Sequence, residues 1–167
     1  MKDNIVLIGM PGAGKSTVGV LLAKSLGKRF VDTDLEIQNN AGRKLQEIID
    51  ADGIEKFLKT EEQVLLQLDC RNSVIATGGS AVYSEKGMKK LAQNGITVFL
   101  NVPFEEIERR INNITTRGIA MKNDETLKEL YAERMPLYKK YADITVAAGL
   151  GAAEAAVGII VSALHSL

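Results

Sequence analysis

A nine-residue run, GMPGAGKST at Gly9–Thr17, constrains this chain more than any other stretch. Gly9, Gly14, Lys15 and Ser16 satisfy G-x-x-x-x-G-K-[ST], with the apolar run NIVLI before them and a helical pattern from Lys15 to Leu26 behind. In that setting glycines let backbone N–H groups turn inward around an anion, at the positive end of the helix dipole. The pattern predicts a strand–loop–helix unit that cradles a nucleoside triphosphate. Lys15 is expected to reach the β- and γ-phosphates and Ser16 to bind Mg²⁺. Gly12, Ala13, Gly14 and Thr17 complete the set of loop residues around the nucleotide.

The remainder of the chain alternates between strand and helix patterns. NIVLIG, SVIAT and ITVFLNV read as buried parallel strands, with RFVD and ADITVAA as two shorter ones. Helical patterns fall at Lys15–Leu26, Ile54–Asp69, Ser84–Gln93, Phe104–Asn112, Glu125–Tyr138 and Gly151–Leu164. This alternation predicts an α/β layered fold around a parallel sheet, in one domain over residues 1–167. Lys plus Arg and Asp plus Glu both number 21, so no overall basic field recruits nucleic acid or an anionic membrane. Any anion must then be held by local geometry. No window is long and apolar enough for a membrane span, and no signal-peptide pattern opens the chain, so a cytoplasmic protein is expected. A lone Cys70 excludes an internal disulfide and reads as a small buried hydrophobe. His165 is expected at the surface.

Three more pieces follow the loop in order. DTD places Asp32 and Asp34 after the second strand; on an extended segment residues two apart face one side, which would aim both carboxylates at the metal and phosphates. ATGGS puts Gly78 and Gly79 at the C-terminal end of a central strand, where ligands sit in open α/β sheets. RMPLYKKYAD carries Arg134 on the last helix before the final strand.

Taken together, these residues resemble the shikimate kinases. The resemblance runs through GMPGAGKST, DTD, the GxxxFxxxE run at Gly53, Phe57 and Glu61, ATGG, VFLNVPFEEIERR, Arg117 and the RxPLYxxxAD segment. It implies a three-layer P-loop fold with helices on both faces of a five-stranded parallel sheet of order 2-3-1-4-5. It also implies a substrate-binding helical segment near residues 33–61 and a lid near 112–124. The activity implied is transfer of the γ-phosphate of ATP, with Mg²⁺, to a ring hydroxyl of shikimate, in aromatic amino acid biosynthesis. Lys15 would then stabilise the moving phosphoryl group, Asp32 would support the metal through water, and Asp34 would orient the acceptor hydroxyl and take its proton. Backbone N–H groups of Gly78 and Gly79 would hold the acceptor, with Arg134 on its carboxylate and Glu61 beside it. Arg117 would reach the phosphates from the lid, and Arg110 would lie against adenine. A monomer is the expected state.

The chain departs from the family at three places. The family's F-R-x-x-E run is FLKTE here, so the arginine that grips the substrate carboxylate is replaced by Leu58; Lys59 lies about 100° further round the helix. The third glycine of the GGG run is Ser80, and the lid's R-P-L-L is Arg117-Gly118-Ile119-Ala120, where Gly for Pro is expected to loosen the lid. Three readings follow: a shikimate kinase compensated by another cation among Arg43, Lys44 and Lys56; a kinase for another hydroxy acid or a hydroxy amino acid such as homoserine, with Glu61 opposite Arg134; or a non-catalytic ATP-binding module.

Overall fold

Five short apolar runs assemble into one sheet in the computed structural model, which describes residues 2–113 and 118–167. The strands are β1 (Asn4–Ile8), β2 (Arg29–Asp32), β3 (Ser73–Ala76), β4 (Gly95–Asn101) and β5 (Ile144–Ala147). They pair in the order β2-β3-β1-β4-β5, each pair parallel. Every residue of β1 and β3 is buried, whereas the edge strands β2 and β5 expose part of theirs. Covering layers on both faces are why the central strands read as unbroken apolar runs rather than alternating ones.

Six helices lie where the periodicity places them, with ends shifted by three residues or fewer: α1 (Lys15–Leu26), α4 (Ile54–Gln67), α5 (Glu85–Asn94), α6 (Phe104–Asn112), α7 (Leu127–Tyr141) and α8 (Ala153–His165). α1 packs beside α8, and α4 beside α5. The expected helical segment after β2 resolves into α2 (Thr33–Ala41) and α3 (Leu45–Asp52), separated by Gly42 in the left-handed region at φ 66°.

DTD is not extended, which corrects the reading made from its spacing. Asp32 ends β2 and caps α2, its Oδ1 accepting from the N–H groups of Asp34 (3.0 Å) and Leu35 (3.4 Å). Asp34 therefore belongs to the first helical turn. Two hydrophobic clusters result. The larger surrounds the sheet, and a smaller one joins Ile37, Leu45, Ile48, Ile49, Phe57 and Val64 of α2–α4 to Ala120, C-terminal to α6. Cys70 is half-buried, with its thiol pushed up by burial, and His165 is exposed at the end of α8. Among the described residues no helix is long and apolar enough to cross a membrane.

Candidate active site

The phosphate-binding loop leaves β1 and enters α1 through Gly12 and Gly14, both in the left-handed region at φ 81° and 88°. That backbone is open to glycine and strained for most other residues. Lys15, only 8% exposed, donates from Nζ to the carbonyls of Gly9 and Met10, each at 2.8 Å. Its ammonium is thus held across the mouth of the loop. Ser16 Oγ donates to Asp32 Oδ2 at 2.8 Å. The cap that starts α2 and the hydroxyl of the loop are one connected unit.

The β3–α5 connection brings a second group of residues to the same place. A side chain on Gly78 would put its Cβ 2.6 Å from Asp34 Oδ1 and 2.7 Å from Glu61 Oε2. One on Gly79 would meet Pro11 Cδ at 2.7 Å and Arg134 Nη1 at 3.0 Å. The GG pair is therefore required by crowding among charged groups. Gly78 N–H donates to Thr33 Oγ1 at 3.2 Å, so it fixes the turn rather than facing an acceptor. The Gly79 carbonyl accepts from Tyr138 Oη at 2.7 Å. Burial raises the Tyr138 phenol well above its usual range, which keeps it a donor. Sequence reasoning missed Thr33 and Tyr138. Tyr138 lies four residues after Arg134, one turn along the same helical face, so RMPLY carried the signal.

Arg134 is 1% exposed and organises the opposite wall. Its Nη2 donates to the Ala120 carbonyl at 2.7 Å, its Nε to Tyr83 Oη at 3.3 Å, and its guanidinium lies 5.3 Å from the Tyr83 ring centre. The segment 118–120 is thereby pinned over the site, with the Ala120 side chain in the smaller core cluster. The Arg117 expected on the lid lies outside the described residues.

These parts line a partly open cavity of about 520 Å³. Its walls come from the loop (Pro11, Gly12, Gly14, Lys15, Ser16), α2 (Asp34, Gln38), the head of α3 (Lys44–Glu47), Phe57, the turn after β3 (Thr77–Ser80), Gly118–Ala120 and Arg134. Glu61, expected beside the acceptor, sits behind that wall. It is 1% exposed, and its Oε1 accepts from Ser80 Oγ at 2.7 Å. Arg110 lies outside the loop: Nη1 donates to the Gly12 carbonyl (2.8 Å) and Nη2 to the Gly149 carbonyl (3.3 Å). Its Nε is steadied by Glu106, whose carboxyl Arg109 and Arg110 hold down at about 2.

Leu58 does not line the large cavity. It packs against the smaller core cluster and borders a separate hollow of about 150 Å³ with Lys59, Glu62 and Tyr83. Of the three cations that could replace the missing arginine, Arg43 and Lys56 both turn to Asp52 Oδ2, at 2.6 and 3.8 Å. Lys44 alone of these lines the cavity.

The fold and site define a P-loop phosphotransferase: a triphosphate cradle opening directly onto a pocket lined by an aspartate and a buried arginine. A family model described as shikimate kinase matches residues 11–165. The chain belongs to the shikimate kinase family. A shikimate kinase of Aromatoleum aromaticum is 41% identical over 150 residues, covering 88% of this chain and 86% of that one. One from Persephonella marina is 38% identical over 144 residues, covering 86% and 87%. The solved shikimate kinase of Acinetobacter baumannii in complex with shikimate superposes with a TM-score of 0.91 at 34% identity, covering 98% of this chain and 93% of that one.

Proposed function

We propose that this protein transfers the γ-phosphoryl group of ATP to a ring hydroxyl of shikimate, giving shikimate 3-phosphate and ADP. One observation carries the reading: a single continuous cavity joins Lys15 and Ser16 of the phosphate loop to Asp34, Gly79 and Arg134. The triphosphate would enter along the loop, with Arg110 flanking it beside Gly12, and Arg134 would take the acceptor carboxylate through Nη1, which faces Gly79. Asp34 would orient the acceptor hydroxyl and take its proton as the oxygen bonds to phosphorus and the bond to the ADP oxygen breaks. Lys15 would neutralise charge gathering on the transferring group.

Mg²⁺ fits the donor set present. The linked Ser16 hydroxyl and Asp32 carboxylate, 2.8 Å apart, supply one direct ligand and one carboxylate to hold its water. Among the described residues no three acidic, His or Cys side chains form a cage, in keeping with an ion that shares its shell with phosphates and water. When bound it neutralises β- and γ-oxygens. Arg134 holds the Ala120 carbonyl, and residues 118–120 would limit the access of water, the competing acceptor.

An amino-acid acceptor has less support, because Glu61 faces Gly78 and Ser80 rather than the cavity. The need for ATP suits the cytoplasm. The test is mass spectrometry of the acceptor after incubation with Mg·ATP, which should show one added phosphoryl group. Asp34→Asn should lower kcat by roughly 10²- to 10⁴-fold; wild-type turnover in that variant would overturn the assignment of the base.

A further inference from the structure

The head of α3 breaks a local rule. The residue at a helix N-cap normally offers a side-chain oxygen to the first N–H groups, and a cation there is repelled by the positive end of the helix dipole. Here the N-cap is Lys44, whose side chain makes no cap hydrogen bond. Other residues do its structural work: Glu47 Oε2 accepts from Lys44 N at 3.0 Å, and Gln38 Oε1 accepts from Leu45 N at 3.2 Å. Among the described residues the Lys44 ammonium has no carboxylate partner, while neighbouring Arg43 and Lys56 both turn to Asp52. Lys44 is exposed at the rim of the cavity that Arg134 closes from below. A residue that costs its own helix stability, with capping delegated to two neighbours, is placed for something other than folding.

We propose that Lys44 is a specificity-determining residue for the acceptor, supplying a second positive charge to its carboxylate alongside Arg134. This inference rests on the reading of the acceptor as a small carboxylate. Arg134 Nε and Nη2 are engaged by Tyr83 and Ala120, so within the pocket Arg134 offers the carboxylate one face, through Nη1. Lys44 approaches from the α3 side, where the helix dipole adds to its charge. Segment 118–120 lies beside both: a Cβ at Gly118 would sit 2.5 Å from Leu45 Cβ and 2.8 Å from Gln46 N, so the segment rests directly on the head of α3. Lys44 itself stays at the exposed rim, where water screens its charge without removing its pull on the carboxylate. The contact thereby discriminates acceptors by charge.

The test is Lys44→Ser in the full-length protein, with shikimate and its methyl ester as acceptors. Serine is a good N-cap, so Tm should rise by about 2–6 °C, while KM for shikimate rises roughly five- to tenfold. KM for ATP should stay within about twofold, kcat likewise, because the lost contact is present in ground and transition states alike. KM for the ester should differ little between the two proteins, and Lys44→Arg should keep most of the affinity for shikimate. Opposite changes in Tm and acceptor affinity rule out misfolding as the cause. An unchanged KM for shikimate in Lys44→Ser, or equal losses for acid and ester, would overturn the inference and leave the functional reading intact. A wild-type protein that leaves shikimate unphosphorylated would overturn that reading, and this one with it.

Discussion

Ser80 Oγ donates to Glu61 Oε1 at 2.7 Å, while among the described residues Glu61 Oε2 is buried without a hydrogen-bond partner. The departure from the family's GGG run is therefore structurally coupled to the carboxylate of the FxxxE run. Burial, with the nearby Asp34 charge adding to it, pushes Glu61 from its ordinary 4.5 up to about 7, against the opposing pull of Ser80, Arg134 and Lys15. A carboxyl held protonated in the native state makes stability fall as pH rises. The native protein keeps the proton from pH 4.5 to 7 while the unfolded chain has released it. Relative to Glu61→Gln, the wild type should lose about 3 kcal/mol across that window, with no further change above it. Urea unfolding of both proteins at pH 5 and pH 8 measures this. Parallel pH profiles would contradict it.

Gly118 is where a single methyl group should matter most. Beside the looser lid expected from glycine in place of proline stands a contact: the glycine lets the segment lie against Leu45 and Gln46. Gly118→Ala forces the lid off α3, since the clash is with backbone and a Cβ rather than a flexible tip. kcat/KM for shikimate should fall roughly ten- to hundredfold, with Tm nearly unchanged. Steady-state kinetics and thermal melts of the variant check this, and a wild-type kcat/KM would remove the lid contact from the account.

Arg110 joins α6 to the phosphate loop at Gly12 and to Gly149 after β5. Arg110→Ala should raise KM for ATP roughly tenfold, the cost of a charge-assisted contact, and leave KM for shikimate unaltered. An effect confined to the shikimate KM would place the nucleotide elsewhere.

How far the sequence speaks depends on the range of the interaction. The phosphate loop is local: glycines, lysine and hydroxyl are adjacent in the chain, and strand and helix periodicities on either side locate it. The five strands were legible for the same reason, and their order came with the family resemblance rather than from any pattern. Asp32 and Asp34 misled, because a strand can stop between two residues and an aspartate that ends it can cap the next helix. Tertiary pairings were out of reach. Nothing in the spacing couples Ser80 to Glu61, nineteen residues apart, or Tyr138 to Gly79 across fifty-nine. Leu58 was legible as a departure, but only the packing shows that it faces a different hollow and that Arg43 and Lys56 are held by Asp52.

The most direct measurement of the central claim is ADP release with Mg·ATP, in a coupled assay, as shikimate is raised from micromolar to tens of millimolar against a no-acceptor control. The account predicts saturable, shikimate-dependent turnover with a KM below about 1 mM, the range usual for enzymes and their substrates. ADP release that does not depend on shikimate, in a protein that still binds ATP, would contradict it.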